Sequence, residues 1–343
     1  MKRYLNTLFV TTQGSYLAKE GQAVVVKVEG ETRLRLPIHT IGGIVCFGQV
    51  SCSPFLMGFC GENNVAISFL TENGRFLARV QGPVSGNVLL RREQYRRADD
   101  PAVSAEVARA VITGKVANCR TALQRGLRDH PDVPGADDLR RAVTRLGGIM
   151  QQCKSTLPLE DLRGTEGDAA RVYFSAFDHL ITAQKEQFYF RGRSRRPPLD
   201  NINALLSFLY TLLVHDVSAA LESVGLDPAV GYLHRDRPGR PSLALDIMEE
   251  FRPVLADRLV LSLINLRQIN AGGFKEAETG AIRMNDATRK QVLVAYQERK
   301  KDQLEHPFLK ERVTVGLLPH IQAQLLARFL RGDLDGYPPF LWR

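Results

Sequence analysis

The sequence predicts an α+β chain, a small N-terminal β-rich domain followed by a larger all-α domain, on three observations. Residues 1–90 break into short apolar runs punctuated by Gly-containing turns. From about residue 88 the apolar residues recur instead at the ~3.6-residue helical period. The 343 residues, 44% of them hydrophobic, suffice to build a large domain beside a small one without a disulfide or metal staple.

Met1–Val10 reads as a first strand better than as a secretion signal, because its short apolar run is interrupted by Asn and Thr. Ala23–Val28 is bounded by Glu20-Gly21 and Glu29-Gly30, as a strand between turns should be. Arg33-Leu34-Arg35-Leu36 alternates with period two, which predicts a half-buried strand. Ile41–Val50 is apolar and Gly-punctuated. Glu72-Asn73-Gly74 predicts a hairpin turn between Val65–Leu70 and Arg75–Val80, and Pro54–Cys60 is the one helical stretch of this region. Asp100-Pro101 then supplies an N-cap and a Pro at the first helical position, with Val103, Val107, Ala110 and Val111 following at helical spacing. Asp137–Cys153 is a second amphipathic run, and Thr165 is placed to cap a helix carrying Glu166 in its first turn. Asn201–Val214, Ser242–Glu250, Pro253–Gln268 and Asp286–Gln303 complete the expected helices, with no internal repeat.

A formal charge of +9 and a pI near 9.4 favour a polyanionic partner. Residues 1–90 hold 8 basic and 5 acidic side chains, so most of the surplus lies in the helical part rather than in a tail. Five cysteines without a CxxC pair read as reduced thiols of a cytoplasmic protein. The apolar stretch near Ala204–Val214 falls short of the ~20 residues of a membrane span, so no membrane association is expected.

The chemistry-bearing residues are Glu166, His234, Asp246 and Glu249. Carboxylates with an imidazole suit a divalent cation that keeps positions open for water and phosphate oxygens. Asp246 and Glu249 lie about 60° apart on a helix and share a face. Glu250, four residues from Asp246, could share it too, and spacing does not choose between them. Arg191, Arg193, Arg195 and Arg196 crowd into six residues stiffened by Pro197-Pro198, as a phosphate-binding track would. Arg91–Arg97 is a second basic segment.

The contexts of these residues resemble the CRISPR-associated spacer-acquisition integrases, the Cas-one family. The resemblance runs through Gly164–Phe174, Phe190–Pro198, Asp200–Ser207, Gly225–Pro228 with Gly231–His234, and Ser242–Pro253, in the same order over nearly the whole chain. The tail Gly336–Arg343 looks like the type I-C branch.

The resemblance implies that Glu166, His234 and Glu249 are catalytic and bind the metal, Mg²⁺ or Mn²⁺. Asp246 would support the site or bind through water, and Glu250 ranks below Glu249. Arg237 would meet a scissile phosphate, with Arg171 and the Arg191–Arg196 cluster also on DNA. It implies a metal-dependent DNA endonuclease and integrase, in which a 3′-hydroxyl of new spacer DNA attacks a phosphodiester of a CRISPR repeat. Implied partners are double-stranded prespacer and repeat DNA, a second copy of the chain, a Cas-two protein and, for the type I-C branch, a Cas-four nuclease. The domains would then be a β-rich dimerisation domain at 1–88, a linker at 89–104 and an α-helical catalytic domain at 105–343. A branched-DNA repair nuclease and a non-catalytic DNA-binding scaffold are the alternatives. Aromatic wedges that splay DNA ends belong to the family, and Tyr4 and Tyr16 do not align well enough to be nominated.

Overall fold

The computed structural model describes residues 6–72, 74–80, 82 and 88–342. Asn73 of the expected hairpin turn, Tyr4 and the rest of segment 1–5, and segment 83–87 lie outside the described residues. The chain forms two compact units: Met1–Ser85 with Lys290–Asp302, and Gly86–Arg289 with Gln303–Arg343.

The first unit carries two four-stranded sheets. One has β1 (Asn6–Val10), β5 (Ile41–Phe47) and β7 (Ala66–Leu70) in parallel, with β8 (Phe76–Val80) antiparallel to β7. The other runs β4 (Glu31–Pro37), β3 (Ala23–Val28), β2 (Tyr16–Glu20), β6 (Ser51–Cys52). Helix α1 (Pro54–Glu62) starts where Ser53 Oγ accepts from the Leu56 amide and Pro54 presets the first turn. Its Leu56 and Phe59 join Leu17, Val24, Ile44 and Ile67 in the core. β4 is an edge strand and mostly exposed, so the alternation read from Arg33–Leu36 overstated its burial.

The second unit is built on long helices. Stretch 89–104, expected as a linker, is largely helical: α2 covers Val88–Ala98 and α3 covers Pro101–Asp129, capped by Asp100 accepting from the Ala102 amide at 2.8 Å. Gln94 explains the order of α2, since its buried amide donates to the Asp227 and Val230 carbonyls at 2.8 and 3.0 Å. α4 (Ala136–Gln152) and α5 (Leu159–Ala176) pack on α3. α6 (Asn201–Ser223) begins at Asp200, whose carboxylate accepts from the Asn203 amide. α7 (Ser242–Met248), a π-helical turn over Arg252–Asp257 and α8 (Arg258–Asn265) follow. Two ribbons, β9 (Phe274–Glu276) with β10 (Ile282–Met284) and β11 (Gln303–Glu305) with β12 (Arg312–Thr314), make this region mostly rather than wholly helical. In sequence α9 (Asp286–Lys301) comes between the two ribbons, and from Lys290 onward it belongs to the first unit; α10 (Leu318–Leu330) packs on α6.

α6 runs nine residues past the apolar stretch read from the sequence, to Ser223. By length and mean hydropathy (1.6) it is long and apolar enough to cross a bilayer. With 61% of that window buried inside the protein, it is better explained as a core helix.

Candidate metal centre

α5 starts two turns earlier than the sequence reading placed it. Pro158 precedes the first turn and Glu160 and Asp161 sit within it, so Glu166 lies in the middle of the helix. Thr165 is no cap; its hydroxyl bonds back to the Asp161 carbonyl at 2.8 Å. Two contacts tie this helix to the loop that carries His234. Arg163 Nε donates to the Leu233 carbonyl at 2.7 Å, and Arg235 Nη2 meets Glu160 at 2.8 Å.

That loop is wrapped around one carboxylate. Asp246, fully buried on α7, accepts from the backbone amides of Tyr232, Leu233 and His234 at 2.6, 3.0 and 2.9 Å, and it meets His234 Nδ1 at 2.7 Å. A carboxylate offers about four acceptor positions, so Asp246 is saturated. It therefore supports the site and has no oxygen left for a water-mediated bond to a cation. With Nδ1 held on Asp246, the Nε2 edge of the His234 ring faces away from that carboxyl group. Gly231 is required for the approach: a Cβ there would come within 2.8 Å of Asp246 Oδ2.

Glu249 ends α7 and is almost completely buried. Its Oε1 lies 4.0 Å from His234 Nε2 and 2.7 Å from Arg252 Nη1, while Oε2 lies 2.7 Å from Lys115 Nζ. The same Lys115 ammonium is ion-paired with Glu166 Oε1. Burial pushes the Glu249 carboxyl up, but Arg252, Lys115 and His234 outweigh it and hold it well below the usual carboxylate range. Burial pulls Lys115 down, yet Glu249 and Glu166 together leave it raised. Lys115 and Arg252 were not singled out from the sequence. Lys115 sits 51 residues before Glu166 with no motif around it, whereas Arg252 follows Glu249 at helical spacing and that signal was available.

Glu249 and Glu250 go opposite ways, a difference that spacing did not display. The buried Glu250 carboxyl group accepts from Tyr337 Oη, Gln322 Nε2 and the Phe340 amide, away from His234.

Among the described residues no three His, Cys, Asp or Glu side chains close tightly enough to hold a metal ion. Lys115 Nζ stands between the two glutamates instead. The donor set nonetheless fits a divalent cation. Glu249 Oε2 is buried and accepts no well-formed hydrogen bond, meeting only the Lys115 charge. The 4.0 Å between Glu249 Oε1 and His234 Nε2 is less than two metal–ligand bonds of ~2.1 Å, so one ion can touch both. Glu166 and His234 keep about a quarter of their side-chain surface, 27% and 21%, so the centre opens to solvent on their side.

The basic residues divide. Arg191, Arg195, Arg196 and Arg237 are exposed. Arg193 turns inward, donating to Asn203 Oδ1 and lying 5.1 Å from the centre of the Tyr210 ring, which makes it an anchor of its loop rather than a phosphate contact. Arg171 is exposed and paired with Asp168. It lines a groove of ≈ 590 Å³ with Arg141, Arg145 and His179, a set without any of residues 191–196. Arg97 of the second basic segment is half-buried, paired with Glu93 at 2.8 Å and stacked on Phe329.

A family model described as CRISPR associated protein Cas1 matches residues 8–298. The chain is 57% identical over 343 residues to CRISPR-associated endonuclease Cas1 1 of Chlorobaculum tepidum, covering 100% of both chains. It is 54% identical over 347 residues to CRISPR-associated endonuclease Cas1 2 of Rhodospirillum rubrum, again covering 100% of both. It is 34% identical to a CRISPR-associated exonuclease Cas4/endonuclease Cas1 fusion of Geobacter sulfurreducens, matching 98% of this chain and 60% of the fusion. In fold it is similar to a CAS1 protein from Thermotoga maritima, with a TM-score of 0.80 and 24% identity over 98% of this chain and 99% of that one. A chain of a Cas6-RT-Cas1–Cas2 complex gives a TM-score of 0.82 at 22% identity, over 98% of this chain and 36% of that one.

Proposed function

The chain belongs to the CRISPR associated protein Cas1 family, and from that premise we propose that it is a divalent-metal-dependent DNA endonuclease and integrase of CRISPR spacer acquisition. One observation carries the reading: Glu166 and Glu249 share the Lys115 ammonium, while His234, held by Asp246, presents Nε2 4.0 Å from Glu249. Glu166, Glu249 and His234 would hold the cation, Mg²⁺ or Mn²⁺. When bound, it supplies Lewis acidity toward a phosphoryl oxygen.

The reaction is a transesterification. A 3′-hydroxyl of the incoming DNA forms a new P–O bond, and the bond to the 3′ oxygen of the cut strand breaks, so no phosphodiester energy is lost. With water as the attacking group the same centre cleaves. Asp246 holds the His234 ring in one orientation through Nδ1. Arg252 balances the Glu249 charge at 2.7 Å, so the carboxylate stays ionised although buried. The exposed Arg237, three residues after His234, is in the stretch of chain where a phosphate would be met.

Partners follow from the same family. The Geobacter fusion joins a Cas4 exonuclease to a relative of this chain, which supports a Cas4 partner. The complex containing Cas2 supports assembly with Cas2, and a homodimer acting on double-stranded prespacer and repeat DNA in the cytoplasm completes the proposal.

The test supplies the purified chain and its Cas2 partner with a short duplex bearing free 3′ ends and a supercoiled repeat plasmid, with Mn²⁺, Mg²⁺ or EDTA. Joined product should require the cation. Glu166→Ala, His234→Ala and Glu249→Ala should each lower joining by at least ~10²-fold, the scale of removing one electrostatic stabiliser, while duplex binding persists. Joining in EDTA, or full activity of Glu249→Ala, would remove the proposal.

A further inference from the structure

Glu249 stands in a turn between α7 and the π-helical turn, and its neighbour Glu250 is held from a distant part of the chain. Among the described residues, the hydrogen bonds to the Glu250 carboxyl group come from the C-terminal segment and α10: Tyr337 Oη at 2.8 Å, the Phe340 amide at 2.7 Å and Gln322 Nε2 at 3.1 Å. The Glu250 carbonyl accepts from Asn118 Nδ2 at 2.8 Å, and that same nitrogen donates to the Phe340 carbonyl at 2.9 Å. The Trp342 amide closes the arrangement on Asn118 Oδ1 at 2.7 Å, and the Arg125 and Arg258 guanidinium groups lie 3.7 and 4.4 Å from the centre of its ring. Asn118 is one helical turn from Lys115, which pairs with Glu249. One turn of α3 therefore grips both members of the glutamate pair. Gly114 leaves room for this: a Cβ there would meet Glu250 Cγ and Pro339 Cβ, each at 3.1 Å.

We propose that the C-terminal segment Tyr337–Trp342 is a positioning strap for Glu249, fastening Glu250 so that the adjacent carboxylate stays aimed at Lys115 and the His234 edge. The strap touches none of Glu166, His234 or Glu249 among its hydrogen bonds; it acts through Glu250 and Asn118. Removing it leaves the buried Glu250 carboxyl group with Gln322 alone of these three partners, which favours rearrangement of the turn. The consequence for a bound cation rests on the reading that Glu249 holds one.

The experiment compares the full chain with a truncation after Gly336 and with Tyr337→Phe, which keeps the ring and loses the hydroxyl. Mn²⁺ affinity is read by the paramagnetic resonance of free Mn²⁺, and hydrogen exchange is followed over residues 246–252, both well below the melting temperature. The truncation should weaken Mn²⁺ binding about tenfold, as loss of outer support does, and speed exchange at 249–251. A peptide of residues 336–343 added in excess should restore both. Tyr337→Phe should weaken Mn²⁺ binding several-fold, the effect of one lost hydrogen bond of ~1 kcal/mol, so the strap remains testable if the truncation does not fold. Unchanged exchange and unchanged affinity in both variants would overturn the strap. If Glu249→Ala binds Mn²⁺ as tightly as the full chain, the metal reading fails instead, and exchange over 246–252 alone decides the strap.

Discussion

Asp246 accepts from three consecutive amides and from His234 Nδ1, so replacing it disturbs the loop and the imidazole together. Asp246→Asn trades one accepting oxygen for a donor and leaves buried N–H groups unpaired, at about 1–3 kcal/mol each. The expected outcome is a fall in melting temperature together with Mn²⁺ binding weaker by roughly 10–100-fold, the usual effect of losing a histidine's outer partner. Calorimetry and Mn²⁺ titration check the two parts separately, and full affinity in a folded Asp246→Asn would show that Nδ1 needs no carboxylate beside it. Lys115 calls for the opposite logic. Its ammonium is the buried counter-charge of two carboxylates, and Lys115→Met leaves Glu249 with Arg252 and the His234 edge. Breaking such a pair costs about 3–5 kcal/mol. Millimolar Mn²⁺ should then raise the melting temperature of Lys115→Met more than that of the unaltered chain, because no ammonium competes for the glutamates. Equal shifts in the two proteins would contradict that competition.

Helix α6 and the π-helical turn meet at a buried acid. Asp257 accepts from Tyr210 Oη at 2.7 Å, and Arg193 and Arg252 lie 5.1 and 4.8 Å from the centre of the Tyr210 ring. Burial pushes the Asp257 carboxyl from 3.8 up to about 6, against the pull of the Tyr210 hydrogen bond and the two guanidinium charges. A folded value above the unfolded one means that the native state holds the proton more tightly. The stabilisation is complete below pH ~3.8 and is lost as the pH climbs through about 6, a total of about 3 kcal/mol at ~1.4 kcal/mol per pH unit. Asp257→Asn should flatten the fall in melting temperature between pH 4 and pH 7, as followed by circular dichroism; an unchanged slope would assign that fall to other groups. The sequence did not display this junction. It showed Pro253–Gln268 as one helical run, because Pro253–Asp257 are all buried and so carry no one-sided pattern that would reveal the wider winding of a π-helical turn. Nor could spacing separate Glu249 from Glu250: the turn after Met248 and the docked tail turn them apart, and neither is a local signal.

Across the whole chain, the legible part of the candidate centre was the part carried by contiguous residues. Glu166, His234 and the Asp246–Glu249 turn each sit in a short stretch that carries the family resemblance, and the change from strand to helical period was visible near residue 88. Lys115, Asn118 and the tail were not legible, because their meaning lies in contacts 51 to 224 residues apart in sequence. The basic surface shows the same division between composition and placement. Four arginines within residues 191–196 looked alike in sequence, yet Arg191, Arg195 and Arg196 are exposed while Arg193 anchors on Asn203 and Tyr210. If the exposed three meet phosphates, each releases counterions, and the logarithm of duplex affinity falls with the logarithm of salt by about 0.9 per contact. Replacing Arg191, Arg195 and Arg196 together by Ala should therefore lower that slope by roughly 2 to 3, as measured by fluorescence anisotropy at several salt concentrations. Arg193→Ala should leave the slope nearly unchanged and lower the melting temperature instead, because it removes a packed guanidinium from the Tyr210 face. The reverse pattern, with Arg193→Ala reducing the slope and the triple variant leaving it intact, would mean that the loop opens on DNA and presents its inward arginine to the backbone.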